Sequence, residues 1–188
     1  VSTVGPATSA YEAVLARRSY SKVTDDAPSR DELLPLVAAV SRVADHSNLN
    51  PWRLVELRGQ AREQLGRAFA KDAKLTGHAA DKLAAKPLRA PLLIAVIAVR
   101  RPSEKVPKWE QDATAAGVAH LLSLLLHESG WGVMWRTGSH TRSKAVAKVH
   151  GLASNERLLG WLYVGGIAQP QTGGGKRPVD PEQFLSAL

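Results

Sequence analysis

The sequence predicts an α+β fold of about four strands interleaved with five or six helices, and three observations carry that reading. The run Leu92–Val99 is continuously apolar and rich in β-branched residues, as expected of a strand covered on both faces. Residues 109–129 read as the longest helix, and from Val118 to Leu126 it is apolar nearly all round. The pairs Ser9/Glu12 and Ser29/Glu32 have capping-box spacing, marking two helix starts ahead of the first strand.

Residues 1–8 read as a loose arm. A helix is expected from Ser9 to about Arg18, with Ala10, Ala13 and Val14 as its inner stripe. A second starts after Ser29, turns Leu33, Leu36, Val37 and Val40 inward, and ends near Val43. Residues 45–51 form a loop, after which Trp52–Leu57 alternates as a strand. Residues 60–70 read as a helix and 77–85 as a weaker one, with Pro87 and Pro91 bracketing a turn before the apolar strand. A polar loop over 102–108 leads into the long helix. Gly130 stops that helix, and residues 133–136 lead out as a strand. A short helix over 141–149 and a strand over 158–164 follow. Residues 168–188 are a Gly/Pro-rich tail with a possible short final helix, belonging to the same single domain that spans 9–167. A helix apolar on every side asks to be buried on every side. In a chain of 188 residues that points to a homodimer.

Composition narrows the chemistry. With 44% hydrophobic and 22% charged residues the chain is an ordinary globular protein. It has no cysteine, which excludes disulfides, thiolate nucleophiles and thiolate metal sites. The net charge of +8 is spread along the chain and mixed with acids; its densest spots are the pairs Arg17-Arg18, Arg100-Arg101 and Lys176-Arg177. That pattern reads as a solvated basic surface, not a nucleic-acid footprint. No apolar run is long enough to span a bilayer and no secretory signal pattern is present, so a cytoplasmic protein is expected. The six histidines do not pair with carboxylates at metal-ligand spacing, so no metal is expected. Gly173-Gly174-Gly175-Lys176 lacks the upstream glycine and the following Ser or Thr of a phosphate loop, and reads as flexible tail.

Three segments could bind a ligand. Arg17-Arg18-Ser19 offers forked guanidiniums and a hydroxyl to a phosphate, although basic residues in a last helical turn also simply complement the helix dipole. His46, with Asp45, Asn48 and Asn50 ahead of Pro51, supplies directional polar groups. The preceding-proline rule makes Asn50 extended, with its amide free to enter a cleft; an ordinary self-satisfied turn is the alternative. Trp135 fits a core aromatic equally well, whereas Arg136 beside it needs an anionic partner at a buried strand end.

Together these segments resemble the FMN-dependent nitroreductase family. Arg17-Arg18-Ser19, continuing Tyr20-Ser21-Lys22, looks like its N-terminal Arg-Arg-Ser motif. Residues 45–52, Asp-His-Ser-Asn-Leu-Asn-Pro-Trp, are similar to its loop ending in Gln-Pro-Trp, with Asn50 in place of the usual Gln. Residues 105–112, Lys-Val-Pro-Lys-Trp-Glu-Gln-Asp, and 135–138, Trp-Arg-Thr-Gly, resemble the short bacterial YdjA-like NAD(P)H nitroreductases. Residues 159–166, Leu-Gly-Trp-Leu-Tyr-Val-Gly-Gly, fit that subgroup's last core strand.

The resemblance implies a nitroreductase-like fold: a mixed central sheet flanked by helices, in an intertwined homodimer. It implies that Arg17, Arg18 and Ser19 bind the phosphate and ribityl chain of FMN, that Arg42 and His46 reach the same FMN from the other subunit, and that Trp135, Arg136 and Thr137 complete the pocket. The nicotinamide cofactor would meet Leu125, Leu126, His127, Glu128, Ser129 and Gly130. In longer relatives basic residues near the C-terminus touch the phosphate, which makes Lys176 and Arg177 of interest. The implied activity is ping-pong hydride transfer: NADH or NADPH reduces FMN and leaves, then a nitroaromatic, quinone or similar small acceptor takes its place. A chain without an acid/base or nucleophile constellation suits chemistry carried by a cofactor. Three other readings stay open: another flavin reaction (dehalogenation, azoline oxidation or flavin fragmentation), a non-catalytic FMN-binding protein, and a basic nucleic-acid binder.

Overall fold

The computed structural model describes residues 9–168 and 179–188. The expected arm at 1–8 and the basic pair Lys176-Arg177, with the glycines before it, lie outside the described residues. Among the described residues six α-helices and four strands follow one another: α1 (Ala10–Ala16), α2 (Arg30–Val40), β1 (Trp52–Leu57), α3 (Gln60–Asp72), α4 (Gly77–Ala84), β2 (Leu92–Val99), α5 (Lys108–Glu128), β3 (Trp131–Arg136), α6 (Lys144–Val149) and β4 (Glu156–Gly166). Both capping boxes form as the spacing requires: Ser9 and Ser29 cap the backbones of Glu12 and Glu32, whose carboxylates reach back to the cap N–H groups. The final helix expected in the tail is a single 3-10 turn, Pro181–Gln183.

The strands form one sheet in the order β1-β2-β4-β3, and all three pairings are antiparallel where a mixed sheet was expected. The connections explain this. α3 and α4 pack together between β1 and β2 and return the chain to the sheet end it left. The single crossover helix α5 makes β2 and β3 run the same way, but β4 is inserted between them.

Two cores flank the sheet. On one face α2 and α5 bring Leu33, Val40, Val118, Leu122 and Leu126 onto Leu92, Ile94, Val96, Leu162 and Val164. On the other, α3, α4 and α6 bring Leu65, Phe69, Leu83 and Val146 onto Leu93, Ala95, Ile97, Trp161 and Tyr163. β2 therefore buries alternate residues in both cores, which is why it reads as an unbroken apolar run.

Two expectations of burial fail within one chain. Of the stripe foreseen on α1 only Ala13 is buried. Ala10 is exposed and Val14 is 60% exposed, because this seven-residue helix touches the protein through one side alone. α5 is not enclosed all round either: the sheet and α2 cover it, while His120 and Leu121 stay exposed.

Candidate active site

β3 is an edge strand, and the chain after α1 is strapped across it and the end of β4. Tyr20 N donates to Val133 O at 3.0 Å, Thr24 N to Gly166 O at 2.8 Å and Gly166 N to Asp26 O at 2.9 Å. Glycine is required there, because a Cβ at Gly165 would stand 2.7 Å from both Thr24 O and Val23 Cγ2. The strapped segment makes one wall of a cavity of about 690 Å³, built from Ser21, Lys22 and Val23, with Met134, Arg136 and Arg89 completing it. Past Arg89 and Arg136 a second space of about 200 Å³ reaches Lys86, Thr137, His140 and Tyr163.

Arg136 is the centre of this arrangement. Its Nε is buried with no partner among the described residues, and its guanidinium carbon sits 5.2 Å from the centroid of the Tyr163 ring. Burial pushes the Tyr163 hydroxyl up to about 12 against the opposing pull of Arg136 and Arg89, so the phenol keeps its proton. Lys22, Lys86 and Arg89 add further positive charge, and among the described residues no carboxylate lines either space. Such a lining accepts a planar anion rich in hydrogen-bond acceptors.

The path of residues 135–137 depends on Gly160. It has φ +145° beside a register shift between β2 and β4, and a Cβ there would lie 2.4 Å from Arg136 O and 2.7 Å from Trp135 Nε1. Strand alternation then sends Trp135 and Arg136 to opposite faces. Trp135 packs on the α2/α5 core with its ring 5.1 Å from that of His120, and its indole nitrogen is unpartnered among the described residues. Of the expected Trp135-Arg136-Thr137 set, only Arg136 and Thr137 line the cavity.

The N-terminal set lies close by. Arg17 caps the end of α1 and its Nη1 is 3.5 Å from Ser19 Oγ; Arg18 is half-buried and Ser19 exposed, directly before the strap on β3. The end of α5 meets the same edge, since the Tyr20 and His127 rings are 5.9 Å apart. His127 Nδ1 is buried and unpartnered among the described residues. Leu125 is half-buried, and Glu128, Ser129 and Gly130 are exposed. Leu126 is fully buried in the core, so its side chain cannot meet a ligand as the resemblance implied.

His46 is elsewhere. Its Nδ1 pairs with Glu110 Oε2 at 2.9 Å in the first turn of α5, whereas His127 is in the last turn. At 1.5 Å per residue those turns are about 25 Å apart. Arg42 is exposed just after α2 and lines neither space. One chain does not bring Arg42 and His46 to the Arg136 cavity.

Asn50 departs from the expected geometry. It is not extended but left-handed, with φ +47°. Its N–H donates to Asp45 Oδ2 at 2.7 Å and its side-chain amide to Asn48 O at 3.3 Å, so the loop's own bonds outweigh the preference imposed by Pro51. Arg101 Nε adds a bond to Leu49 O at 2.6 Å.

Sequence reasoning missed Lys86, Arg89, His140 and Tyr163. They are scattered over 78 positions, and no local spacing pairs them; only the fold gathers them. Among the described residues no group of three or more His, Cys, Asp or Glu is placed to hold a metal ion, and no helix is long and apolar enough to cross a membrane.

Comparison with known proteins agrees with this architecture. Residues 14–166 match the Nitroreductase family. The chain is 32% identical over 159 residues to Escherichia coli (strain K12) YdjA, provisionally named an NAD(P)H nitroreductase, covering 83% of this chain and 87% of that one. A provisionally named NAD(P)H nitroreductase of Haemophilus influenzae is 26% identical over 177 residues, covering 92% and 95%. Among solved structures, a nitroreductase-like family protein from Bacillus cereus superposes with a TM-score of 0.84 at 22% identity over 99% of both chains. The FMN and NADPH-dependent nitroreductase NfnB from Sphigopyxis sp. strain HMH superposes with a TM-score of 0.75 at 18% identity, covering 96% of this chain and 99% of NfnB. The chain belongs to the nitroreductase family.

Proposed function

We propose that this member of the nitroreductase family is an FMN-dependent NAD(P)H oxidoreductase acting on small acceptors such as nitroaromatics and quinones. Its general oxidoreductase character follows from the family. The observation that carries the cofactor reading is the buried Nε of Arg136, without a partner among the described residues, between two spaces lined by cations, the smaller of them also by the Tyr163 ring. FMN fits that chemistry: it is planar, carries carbonyl acceptors and ends in a phosphate. When bound, FMN supplies the capacity to take hydride from NAD(P)H and pass it on.

The chain's residues do the binding and orienting. Arg17, Arg18 and Ser19, beside the β3 strap, hold the phosphate and ribityl chain. Arg136 and Thr137 meet the polar edge of the ring system from the cavity, while Trp135 supports their strand from the opposite face. Leu125, His127, Glu128, Ser129 and Gly130 border the nicotinamide position at the end of α5. Arg42 and His46 act across a homodimer, since the length of α5 separates His46 from the cavity of its own chain. The exposed apolar side chains of Tyr11, Val14, Leu15, Trp109 and Leu121 provide surface for such a contact. Residues 9–167 form the binding domain, with 168–188 as its tail.

The visible spectrum of freshly purified protein tests the reading. A flavin spectrum that NADH or NADPH bleaches anaerobically, and a quinone restores, is the expected result; a colourless protein that takes up no FMN refutes it. Because donor and acceptor share one site, double-reciprocal lines should be parallel when NAD(P)H is varied at several quinone concentrations. Sedimentation should show a dimer, and a flavin-loaded monomer at micromolar concentration would count against the roles of Arg42 and His46.

A further inference from the structure

The space beyond Arg136 is lined by His140, whose pairing with Asp72 the cofactor-binding roles leave unused. His140 Nδ1 lies 3.0 Å from Asp72 Oδ2, and its ring stacks on Phe69 with centroids 4.5 Å apart and planes 15° from parallel. The carboxylate orients the ring from one side and the aromatic face from another. Hydrogen bonds from His140 first and Ser143 second hold the Asp72 carboxyl below its ordinary value. An ionised Asp72 accepts a hydrogen bond from Nδ1–H, so Nε2 is the nitrogen left for other work, and it has no hydrogen-bond partner among the described residues.

His150 shows what a structural histidine looks like in the same molecule. Both its nitrogens are occupied: Nδ1 donates to Val146 O at 2.9 Å, and Nε2 accepts from Trp161 Nε1 at 3.0 Å. His140 has one nitrogen anchored on Asp72, the other without a hydrogen-bond partner among the described residues, and the residue lines the cavity. The groups around it are Asp72 from α3, Lys86 and Arg89 from the turn before β2, Arg136 from β3, Ser143 at the start of α6 and Tyr163 from β4. Arginines keep their protons, and burial keeps the proton on Tyr163. Imidazole is the side-chain type suited to giving and regaining a proton near neutral pH.

We propose that Asp72–His140 is the proton-donating dyad of this site. The proposal rests on the oxidoreductase reading, and its step balances as follows. A quinone that accepts hydride from reduced flavin becomes a hydroquinone monoanion. The Nε2–H bond of the His140 imidazolium breaks and an O–H bond forms on that anionic oxygen, giving neutral hydroquinone, neutral imidazole and oxidised flavin. The imidazole regains its proton from water. Asp72 fixes the ring and stabilises its positive charge throughout.

Anaerobic stopped-flow on the flavin-loaded protein, with NADH or NADPH as donor and 1,4-benzoquinone as acceptor, separates the two half-reactions. In His140→Gln, reoxidation by quinone should slow about 100-fold and lose its pH dependence, with partial rescue by added imidazole. In Asp72→Asn, which keeps the histidine, it should slow about tenfold. Flavin reduction should stay within about twofold of the parent in both. ¹⁵N NMR of the resting protein gives a readout independent of turnover: neutral His140 should carry its proton on Nδ1. The opposite tautomer, unchanged reoxidation in both folded variants, or equal slowing of both half-reactions overturns the dyad alone. A parent protein that takes up no FMN overturns the oxidoreductase reading and the dyad with it.

Discussion

Arg53 on β1 and Arg136 on β3 occupy opposite edges of one sheet and meet opposite fates. Arg53 forms a forked pair with Glu156, its Nε 2.7 Å from Oε1 and its Nη2 2.8 Å from Oε2, and a further bond to His150 O. The pair raises the arginine and holds the glutamate below its ordinary range, principally through that shared hydrogen bond. Nearby, Arg30 and Arg58 both pair with Glu56. Around Arg136 the cations Lys22, Lys86 and Arg89 gather with no carboxylate among the lining residues, and the buried Nε has no partner among those described. A protein that meets the cost of burying one guanidinium at β1 leaves another unmatched at β3. That difference separates an arginine whose charge is matched inside the fold from one whose charge is not matched among the described residues.

The largest effect expected from probing this contrast is on stability. Arg53→Ala leaves Glu156 nearly buried without its cation and should cost about 2–3 kcal/mol, below the range for breaking a fully buried pair because Arg53 is partly exposed. Urea unfolding should show the loss while flavin retention per folded molecule stays unchanged; a flavin defect would erase the distinction between the two edges. Gly160→Ala should cost about 1–3 kcal/mol, from a strained positive φ and the clash with Arg136 O. Because it displaces residues 135–137, it should weaken flavin binding as well, so loss of stability with normal retention would contradict the placement of Arg136.

Arg17→Ala and Arg136→Ala should each weaken FMN binding by about 1.5–3 kcal/mol, the range for losing a charge-assisted hydrogen bond, without lowering the stability of flavin-free protein. Retention after dialysis and unfolding of the stripped protein measure the two quantities. A stability loss like that of Arg53→Ala would make Arg136 structural.

The mildest probe is pH. Burial, the largest cause, holds the His150 imidazole below its ordinary value of 6.5, with the Val146 carbonyl opposing. The folded state then prefers the neutral ring, while the unfolded chain takes up a proton first. Stability is complete above about 6.5 and declines as pH falls from there toward the depressed folded value. His150→Gln should flatten that part of the stability–pH curve.

Local chemistry was legible where each element specifies itself. Ser9 and Ser29 announced their caps, Leu92–Val99 its double burial and Trp52–Leu57 its strand. The motifs 17–19 and 135–137 stand out in the sequence by residue type, and the fold places both at the β3 edge. Other features were not legible. The left-handed Asn50 depends on its N–H bond to the Asp45 carboxylate five residues away, and Val14 and Leu121 face outward because nothing among the described residues covers them.

Periodicity, capping and the need to pair buried charge act over a few residues, so the chain alone specified its helices, its strands and the arginines that require partners. Which partner each arginine meets was decided by tertiary structure. Insertion of β4 between β2 and β3 makes β3 an edge, and the glycines at 160 and 165 allow neighbouring backbone to approach closely. Alternation then divides Trp135 from Arg136, while α3 brings Asp72 to His140 and the turn before β2 brings Lys86 and Arg89 beside Arg136. Those contacts join residues tens of positions apart, and their pairing is set by how the elements close around two cores, which no local pattern encodes.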